Sequence, residues 1–310
     1  MFYTGKGACV QIGKETSFGV KVAPTTLVNF TSESVVATVS KGDEGSLLAS
    51  KTATDRDVMA VDVSGSISFI LRPETAKMLL SAALGGVVTE SSASGKKTSR
   101  IVLADAGVAL PSLSIYIDRK VKTECYPGCT VKSLNLDFNA GEYVTGSFEV
   151  VGTKEEDGSI TTLPALTIPS YKCSGATFKI GGTTIDITSA SLSLNNNVEE
   201  APRTYSSGLY KGQPQAGQRT VTLTFNLLHS TSSESIKTEY LFAEKTASVE
   251  LECTSSASGY TIKIEIPNLT VTKLSANVSG SGAITASGEG EALSKGAVEP
   301  LSVTVSEPVA

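Results

Sequence analysis

One stretch of this sequence occurs twice, 140 residues apart. Residues 130–149 are TVKSLNLDFNAGEYVTGSFE, and residues 270–289 are TVTKLSANVSGSGAITASGE. Identical residues meet at this offset without a gap, among them Thr130 and Thr270, Leu134 and Leu274, and Glu149 and Glu289. A long-period repeat indicates that one structural unit is present more than once. With 310 residues, the chain has room for two copies of one fold.

Alternation of apolar and polar residues predicts β-structure in both copies. The sequence from Val61 is VDVSGSISFIL, and from Thr220 it is TVTLTFNLL. A period of two is typical of antiparallel strands with one face on a core and one in water. Each segment is followed by a helix-like stretch: PETAKMLLSAAL, between Pro73 and Gly85, and SSESIKTEYLF. The predicted fold class is mainly β: two tandem β-sandwich domains, each with a flanking α-helix, from an internal duplication.

The repeat also predicts the domain boundaries. The first β domain is placed at residues 1–151, a charged linker at 152–162 and the second β domain at 163–310. FTSESV at Phe30 resembles ITSASL at Ile187 with an offset of 157, so the first half carries about 17 extra residues (157 − 140). The polar segment 87–100 is expected to be the exposed loop that holds them.

Two further long segments, 40–57 and 199–219, occupy equivalent places in the two halves. Loops of this length in a compact domain are usually functional or disordered. We interpret them as assembly arms. Their candidate contact residues are Asp43, Glu44, Leu47, Leu48, Arg203, Tyr205, Leu209 and Tyr210.

The sequence shows no catalytic or metal-binding pattern. The single histidine, His229, is predicted at a strand end and is not accompanied by a Gly-x-Ser-x-Gly motif. Cys125 and Cys129 lack two further ligands at a zinc spacing. The N-terminal residues lack the apolar core of a secretion signal, so the five cysteines are expected to be reduced. We therefore expect no enzyme activity, no metal and no cofactor.

The chain resembles the tail tube proteins of long-tailed bacteriophages, the major tail proteins. The resemblance lies in the opening GKGACVQIGKETSFGVKVAPTTLVNFTSESV, in VDVSGSISFILRPETAKMLLSAALG and in the closing hairpin. It implies sandwich domains that form rings of six, with inner sheets joined into a barrel around a lumen. A duplicated chain then implies a homotrimeric ring. Six domains of four strands would give a barrel roughly 48 Å across, which admits a DNA duplex.

The resemblance also implies a location and partners. The protein would be a structural component of the virion tail, assembled in the bacterial host cytoplasm, and a conduit for DNA during genome ejection. Its partners would be other copies of itself, the tape measure protein in the lumen, and the tail terminator and tail tip proteins. Double-stranded DNA would pass without specific binding, and no membrane would be involved.

The polar faces of the predicted strands carry short Ser, Thr and Asn side chains rather than the long charged ones common on surfaces. Carboxylates on such a face would repel DNA phosphates. The lumen-lining candidates are Asp62, Ser64, Ser66, Ser68, Asn135, Asp137, Thr145, Ser147, Glu149, Thr222, Thr224, Thr285, Ser287, Glu289 and Glu291. For each acid the alternative is an ordinary surface position, and its recurrence in the repeat favours the lumen for Glu149 and Glu289.

Two other classes of function remain open from the sequence. A two-domain β-sandwich adhesin or carbohydrate-binding module would need exposed aromatic platforms and a secretion signal, whereas Trp is absent. An enzyme on a β-sandwich scaffold is disfavoured by the single histidine. Rings or tubes of purified protein in electron micrographs would distinguish the tail tube from both.

Overall fold

The structure of the protein, a computed structural model, describes residues 4–43, 56–93, 95–105, 108–243, 245–277, 283–296 and 298–309. It confirms a mainly β, antiparallel fold, with 58% of the residues in strands and 9% in helices. None of the helices in these ranges has the length and apolar character needed to cross a membrane.

In the described part of the first half there are a short 3₁₀ turn at Gly5–Gly7, one helix and eleven strands. The strands are β1 Cys9–Lys14, β2 Thr26–Leu27, β3 Phe30–Glu33, β4 Val36–Asp43, β5 Arg56–Ile70, β6 Gly85–Ala93, β7 Lys96–Leu103, β8 Ser112–Asp118, β9 Thr123–Asn139, β10 Thr145–Gly152 and β11 Glu156–Asp157. The helix, α1, is Pro73–Leu84.

The second half contains ten strands and one helical segment. The strands are β12 Tyr171–Ile180, β13 Thr183–Thr184, β14 Ile187–Asn195, β15 Val198–Glu199, β16 Gln215–Ala216, β17 Thr220–Leu228, β18 Ala247–Ser255, β19 Thr261–Asn277, β20 Thr285–Ala292 and β21 Ser302–Pro308. The helix α2, Thr231–Ile236, continues as a π-helical segment, Lys237–Phe242.

Among the described residues, nineteen strands belong to one continuous sheet, and β15 and β16 form a separate pair. Eight of the nineteen form an inner layer in the order β4–β5–β10–β9–β14–β17–β20–β19. β3 precedes β4 along the same side of β5. The inner layer therefore takes four strands from each half of the chain.

The outer layer covers one face of the inner layer. β8 pairs with β1 along one edge and with the start of β9 along the other. In the same way, β18 pairs with β12 and with the start of β19. β9 and β19, with 17 residues each, therefore belong to both layers. The rings of Phe178 in β12 and Phe225 in β17 lie 5.7 Å apart, so the apolar core fills the space between the layers.

The repeated hairpins β9–β10 and β19–β20 have the same register. Thr145 lies opposite Asp137, and Thr285 lies opposite Asn277. Each hairpin has one bulge, and the extra residues, Lys132 and Thr272, are again 140 positions apart. β3–β5 and β14–β17 share a second bulge, with an offset of 157. The strand registers thus reproduce both offsets found in the sequence.

The helix predicted at PETAKMLLSAAL is confirmed as α1. Pro73 is its first residue, where its fixed φ suits a helix start. Gly85 follows its last turn with φ 75°, a left-handed conformation that glycine adopts at little cost. The second predicted segment is also helical, and its two parts span 231–242, 158 positions after α1.

The prediction of a loop at 87–100 is wrong, because β6 and β7 form a hairpin there, whereas most described residues of this segment are exposed as expected. Ser and Lys are common there, and the period of two is weak. The strand forms because β7 also pairs along its other edge with β21, from Ser302 to Pro308. A partner about 200 residues away cannot be inferred from local pattern.

Candidate functional site

The two halves meet in a strand pair that we name the internal seam, the antiparallel pairing of β9 with β14. Seven residue pairs form it, from Ser189 opposite Asn139 to Asn195 opposite Ser133. In this seam the last inner strand of the first half bonds to the first inner strand of the second half. One sheet therefore runs across eight strands without a break.

The side of this sheet that faces away from the core is its polar face. Seven of the eight inner strands alternate buried residues with Ser, Thr, Asn, Asp or Glu, as in β17 and β20, whereas no residue of β4 is buried. Directly opposed residues continue the polar face from strand to strand, in the row Thr145, Asp137, Ser191, Thr224 and Glu289. By this alternation all fifteen candidate lining residues lie on the polar face.

The carboxylates of the polar face have different surroundings. Asp137 accepts a hydrogen bond from Ser191 Oγ across the internal seam at 2.7 Å. Glu149 is 56% exposed, and its Oε2 lies 3.9 Å from Lys132 Nζ on the bulge. Glu289 lies opposite Thr224 on one side and Lys273 on the other. The face therefore carries Lys132 and Lys273 as well as its carboxylates.

Sequence reasoning placed no lining candidate on three strands of the polar face, β4, β14 and β19, and β14 lies at the middle of the sheet. Ser189, Ser191, Ser193 and Asn195 of β14 lie between the candidates of β9 and those of β17. The signal was present, because ITSASLSLN alternates these residues with buried Ala190, Leu192 and Leu194. Their place at the middle of the sheet follows from the internal seam, which the pattern does not reveal.

Asp62 differs from the other carboxylates because the 199–219 segment covers it. Arg203 Nη2 and Lys211 Nζ lie 2.7 and 2.8 Å from its Oδ1. Burial raises the pKa of the Asp62 carboxyl, but the hydrogen bonds from Lys211 and Arg203 outweigh burial and hold that pKa below its ordinary value. The backbone N–H of Val61 also donates to Leu209 O at 3.0 Å. This segment therefore lies against β5 where β10 has ended.

The candidate arm residues are partly described. Asp43 ends β4 and forms an ion pair of 2.6 Å with Arg56 at the start of β5. Glu44, Leu47 and Leu48 lie outside the described residues. Tyr205 is fully exposed, and Leu209 and Tyr210 keep more than a third of their surface in water. Arg203 is the arm residue that contacts the polar face.

His229 takes part in a helix start rather than in a reactive cluster. Its Nδ1 lies 3.1 Å from Ser233 Oγ. That hydroxyl donates to Ser230 O and accepts from the Ser230 N–H, and the second of these bonds belongs to the capping box that begins α2. A serine whose hydroxyl is engaged in a cap is not placed as a nucleophile.

The cysteines have the features of core residues. All five have free thiols, and every one except Cys9 is buried. Burial raises the pKa of Cys125 and of Cys129, which disfavours the thiolate that binds metals. Within the described ranges, no three His, Cys, Asp or Glu side chains are grouped so that they could hold a metal ion.

Comparison with known proteins identifies one family for the chain. The family model described as "Phage tail tube protein" matches residues 5–292 of the chain. No curated protein matches the chain at a significant level. The match covers both halves, both repeated hairpins and the internal seam between them. The chain therefore belongs to the phage tail tube protein family.

Proposed function

We propose that this protein is a structural, non-enzymatic component of the virion tail. Its copies form trimeric rings of six pseudo-equivalent domains, and the rings stack into a tube that conducts DNA during genome ejection. The domains are residues 1–151 and 163–310, joined by the linker 152–162, and they derive from one duplicated sandwich with a flanking helix.

The observation that carries this proposal is the internal seam. It shows how one half of the chain can continue the inner sheet of the preceding half. The same pairing, repeated between copies, would join six four-stranded units and leave no open edge. Closure removes the unpaired edges that otherwise promote uncontrolled association.

The shared strand registers support the duplication. Both repeated hairpins have the same register and a bulge at the same point. β8–β9 and β18–β19 share another bulge, after Leu113 and after Ala247. Bulges are specific features of a fold, so their recurrence favours a common origin over independent convergence.

In this arrangement the polar face lines the lumen. Ser, Thr and Asn side chains give a short, hydrated wall, and Glu149, Glu289, Glu291 and Asp137 repel phosphate. DNA would pass without specific binding, and the tape measure protein would occupy the lumen before it.

The segments 40–57 and 199–219 would contact neighbouring rings, and the end rings would meet the tail terminator and tail tip proteins. Assembly would take place in the host cytoplasm.

Charge reversal on the polar face tests the lumen. We expect the variant Glu149→Lys with Glu289→Lys to form tubes of normal length, because both side chains are exposed and lie off the core. Each ring of three chains should then carry six cations that hold DNA, so genome release slows and raised salt restores it. The matched control is Glu252→Lys with Asp105→Lys, which reverses two exposed charges off the polar face.

Release at the wild-type rate from the Glu149 and Glu289 variant would contradict the lumen assignment. So would labels at these two sites that react from outside intact tubes. Purified protein that stays monomeric in sedimentation experiments, even with a tail tip supplied, would contradict the tube itself.

A further inference from the structure

We propose that copies of this chain join by pairing β4 of one copy with β19 of the next in a single register, with Val36 opposite Ser275. We further propose that Val39 and Val61 of the first copy pack on the helix end at Phe242 of the second. This inference rests on the proposed ring and specifies its interface between copies.

The internal seam provides the template for the register. The β9–β10 hairpin maps onto β19–β20 with an offset of 140, including the bulge. β14 maps onto the segment of β3 and β4 with an offset of 157, again including a bulge. Applying both offsets to the pairs of the internal seam gives Thr38 opposite Lys273, Ala37 opposite Leu274, Val36 opposite Ser275, Val35 opposite Ala276 and Ser34 opposite Asn277.

This register keeps each side chain on its proper face. Thr38 and Val36 lie beside Asp62 and Ser64 on the polar face, and Lys273 and Ser275 lie beside Glu289 and Ser287. Ala37 lies beside Val63 of the core, and Leu274 is itself buried. A shift by one residue would place buried positions of one strand against polar positions of the other.

Both edges are open in the single chain. β4 pairs with β5 alone, and residues 270–277 of β19 pair with β20 alone among the described strands. Val36 on the β4 edge is 52% exposed, whereas Ser193, its equivalent in the internal seam, is partly covered. A second copy of the chain is the occupant that brings the complementary strand to both edges at once.

Beside the internal seam, two polar side chains of the second half donate hydrogen bonds to backbone carbonyl oxygens at the C-terminal end of α1. Asn196 is fully buried, and its Nδ2 donates to Ala83 O at 3.0 Å and to Val131 O at 2.9 Å. Arg219 Nη1 donates to Ala104 O at 2.8 Å and to Leu84 O at 3.4 Å. These two side chains of the second half hold the C-terminal end of the first half's helix.

Apolar residues stand at the equivalent places of the open edges. The offsets that relate the two halves place Val39 at the position of Asn196 and Val61 at that of Arg219. They also relate Leu84 at the end of α1 to Phe242, because both helical segments begin and end 158 residues apart. Val39 is 47% exposed and Phe242 is 71% exposed. The same contact that is polar within the chain would therefore be apolar between chains, where burial from water favours association.

The isolated chain covers part of its own β4 edge. The Val35 N–H donates to Glu33 Oε2 at 3.2 Å, and Val35 O accepts from Arg119 Nη2 at 2.8 Å. Charged side chains at a sheet edge hinder unwanted strand pairing. Addition of the next copy has to displace these two bonds, which should slow each strand-pairing step.

Cysteine pairs across the proposed interface test the register. Val36→Cys with Ser275→Cys places two cysteines on directly opposed residues, within the Cα range that a disulfide can bridge. Oxidised tubes should then yield covalent dimers and trimers on non-reducing gels. Asn135→Cys with Ser193→Cys is the matched control, since these residues are opposed in the internal seam and should bond within one chain.

The negative control shifts one cysteine by two residues. Val36→Cys with Lys273→Cys forms a diagonal pair about 7–8 Å apart, which should bond at least tenfold less. If the wild type forms tubes but the Val36 and Ser275 pair does not bond while the internal control does, the register is wrong and the tube stands. If no tubes form from the wild type, the proposed function itself fails.

A second variant tests the apolar contact independently of disulfides. Phe242→Asp should raise the protein concentration needed for tube formation by about tenfold or more, because a buried aromatic anchor is replaced by a charge. Val20→Asp is the control, since Val20 is 56% exposed and lies between β1 and β2, outside both β4 and β19. Circular dichroism should show both variants folded. Equal assembly of both variants would overturn the contact at Phe242.

Discussion

At the scale of single residues, the two halves fill the same part of the core with side chains from different strands. In the first half Phe148 of β10 packs on Phe69, with ring centroids 5.6 Å apart, and lies opposite Ile67. In the second half Gly288 takes the place of Phe148 and lies opposite Phe225. A Cβ on Gly288 would be 2.4 Å from Phe225 Cζ, so the phenylalanine ring occupies the space that the glycine leaves.

This exchange predicts a compensating pair of substitutions. Phe225→Ile alone removes packing contacts, and Gly288→Phe alone overpacks the core. Each should lower the free energy of unfolding, the second by about 1–3 kcal/mol or more. The double variant recreates the arrangement of the first half. Its loss of stability should be smaller, by at least about 1 kcal/mol, than the sum of the losses of the two single variants. Urea unfolding of the four proteins measures this coupling. The reciprocal swap, Ile67→Phe with Phe148→Gly, is the control, and strictly additive energies would contradict the exchange.

The sequence alone predicts part of this residue-scale picture. The constant offset aligned Phe148 with Gly288 and so revealed that the second hairpin has lost bulk. The identity of the replacing side chain depends on which residue of β17 lies opposite. By sequence similarity, ISFIL at 67–71 aligns with LTFNL at 223–227, an offset of 156, whereas the observed pairing relates Ile67 to Phe225, an offset of 158. A shift of two preserves the alternation, so the pattern cannot detect it.

At the scale of elements, the 199–219 segment is held on β5 by charge. Arg203 and Lys211 contact Asp62, whose pKa is lower in the folded chain than its ordinary value. A carboxyl with a lowered folded pKa stabilises the fold above its unfolded pKa and loses that contribution as pH falls through the folded pKa. The segment should therefore loosen below about pH 4, where free aspartate becomes protonated.

Hydrogen exchange at the Val61 amide measures this release, since that N–H donates to Leu209 O. After correction for intrinsic rates, its protection should fall from pH 5 to pH 2.5. At pH 7, Asp62→Asn should also speed tryptic cleavage after Arg203 and Lys211, and Asp186→Asn, at an exposed acid elsewhere, should not. Unchanged protection at acid pH would show that the charges do not hold the segment.

Elements were predicted well where the segment has a clear periodic pattern of its own. They were predicted poorly where a segment becomes a strand only through the strands that pair with it. β5, β17 and α1 follow directly from local patterns. β6 and β7 do not, because their Ser- and Lys-rich sequence becomes a strand pair only beside β21. The internal seam is of the same kind, since nothing in β9 alone specifies that β14 will pair with it.

At the scale of the whole molecule, the stagger between the two halves sets the geometry of a closed barrel. The row that begins at Thr145 passes through Asp137, Ser191 and Thr224 and arrives at Glu289. The residue of β20 equivalent to Thr145 of β10 is Thr285. The row of opposed residues that leaves β10 at Thr145 therefore reaches β20 four residues beyond the equivalent position (289 − 285). Six halves of four inner strands would then have 24 strands and a shear of 24 (six steps of four).

A barrel whose shear equals its number of strands has strands tilted by about 36°. With about 4.8 Å between strands, 24 strands at this tilt enclose a backbone barrel roughly 45 Å across. Because the strands are tilted from the barrel axis, the shift of four residues along the strand is offset by the rise of each row around the barrel. Glu149 and Glu289 would therefore lie at the same height along the axis, although they belong to different hydrogen-bonded rows. Cryo-electron microscopy of tubes should therefore show three chains per ring, strands near 36° and a single level of six carboxylates from these two positions. A ring with another number of chains, or strands parallel to the tube axis, would contradict the closure that the register of the single chain predicts.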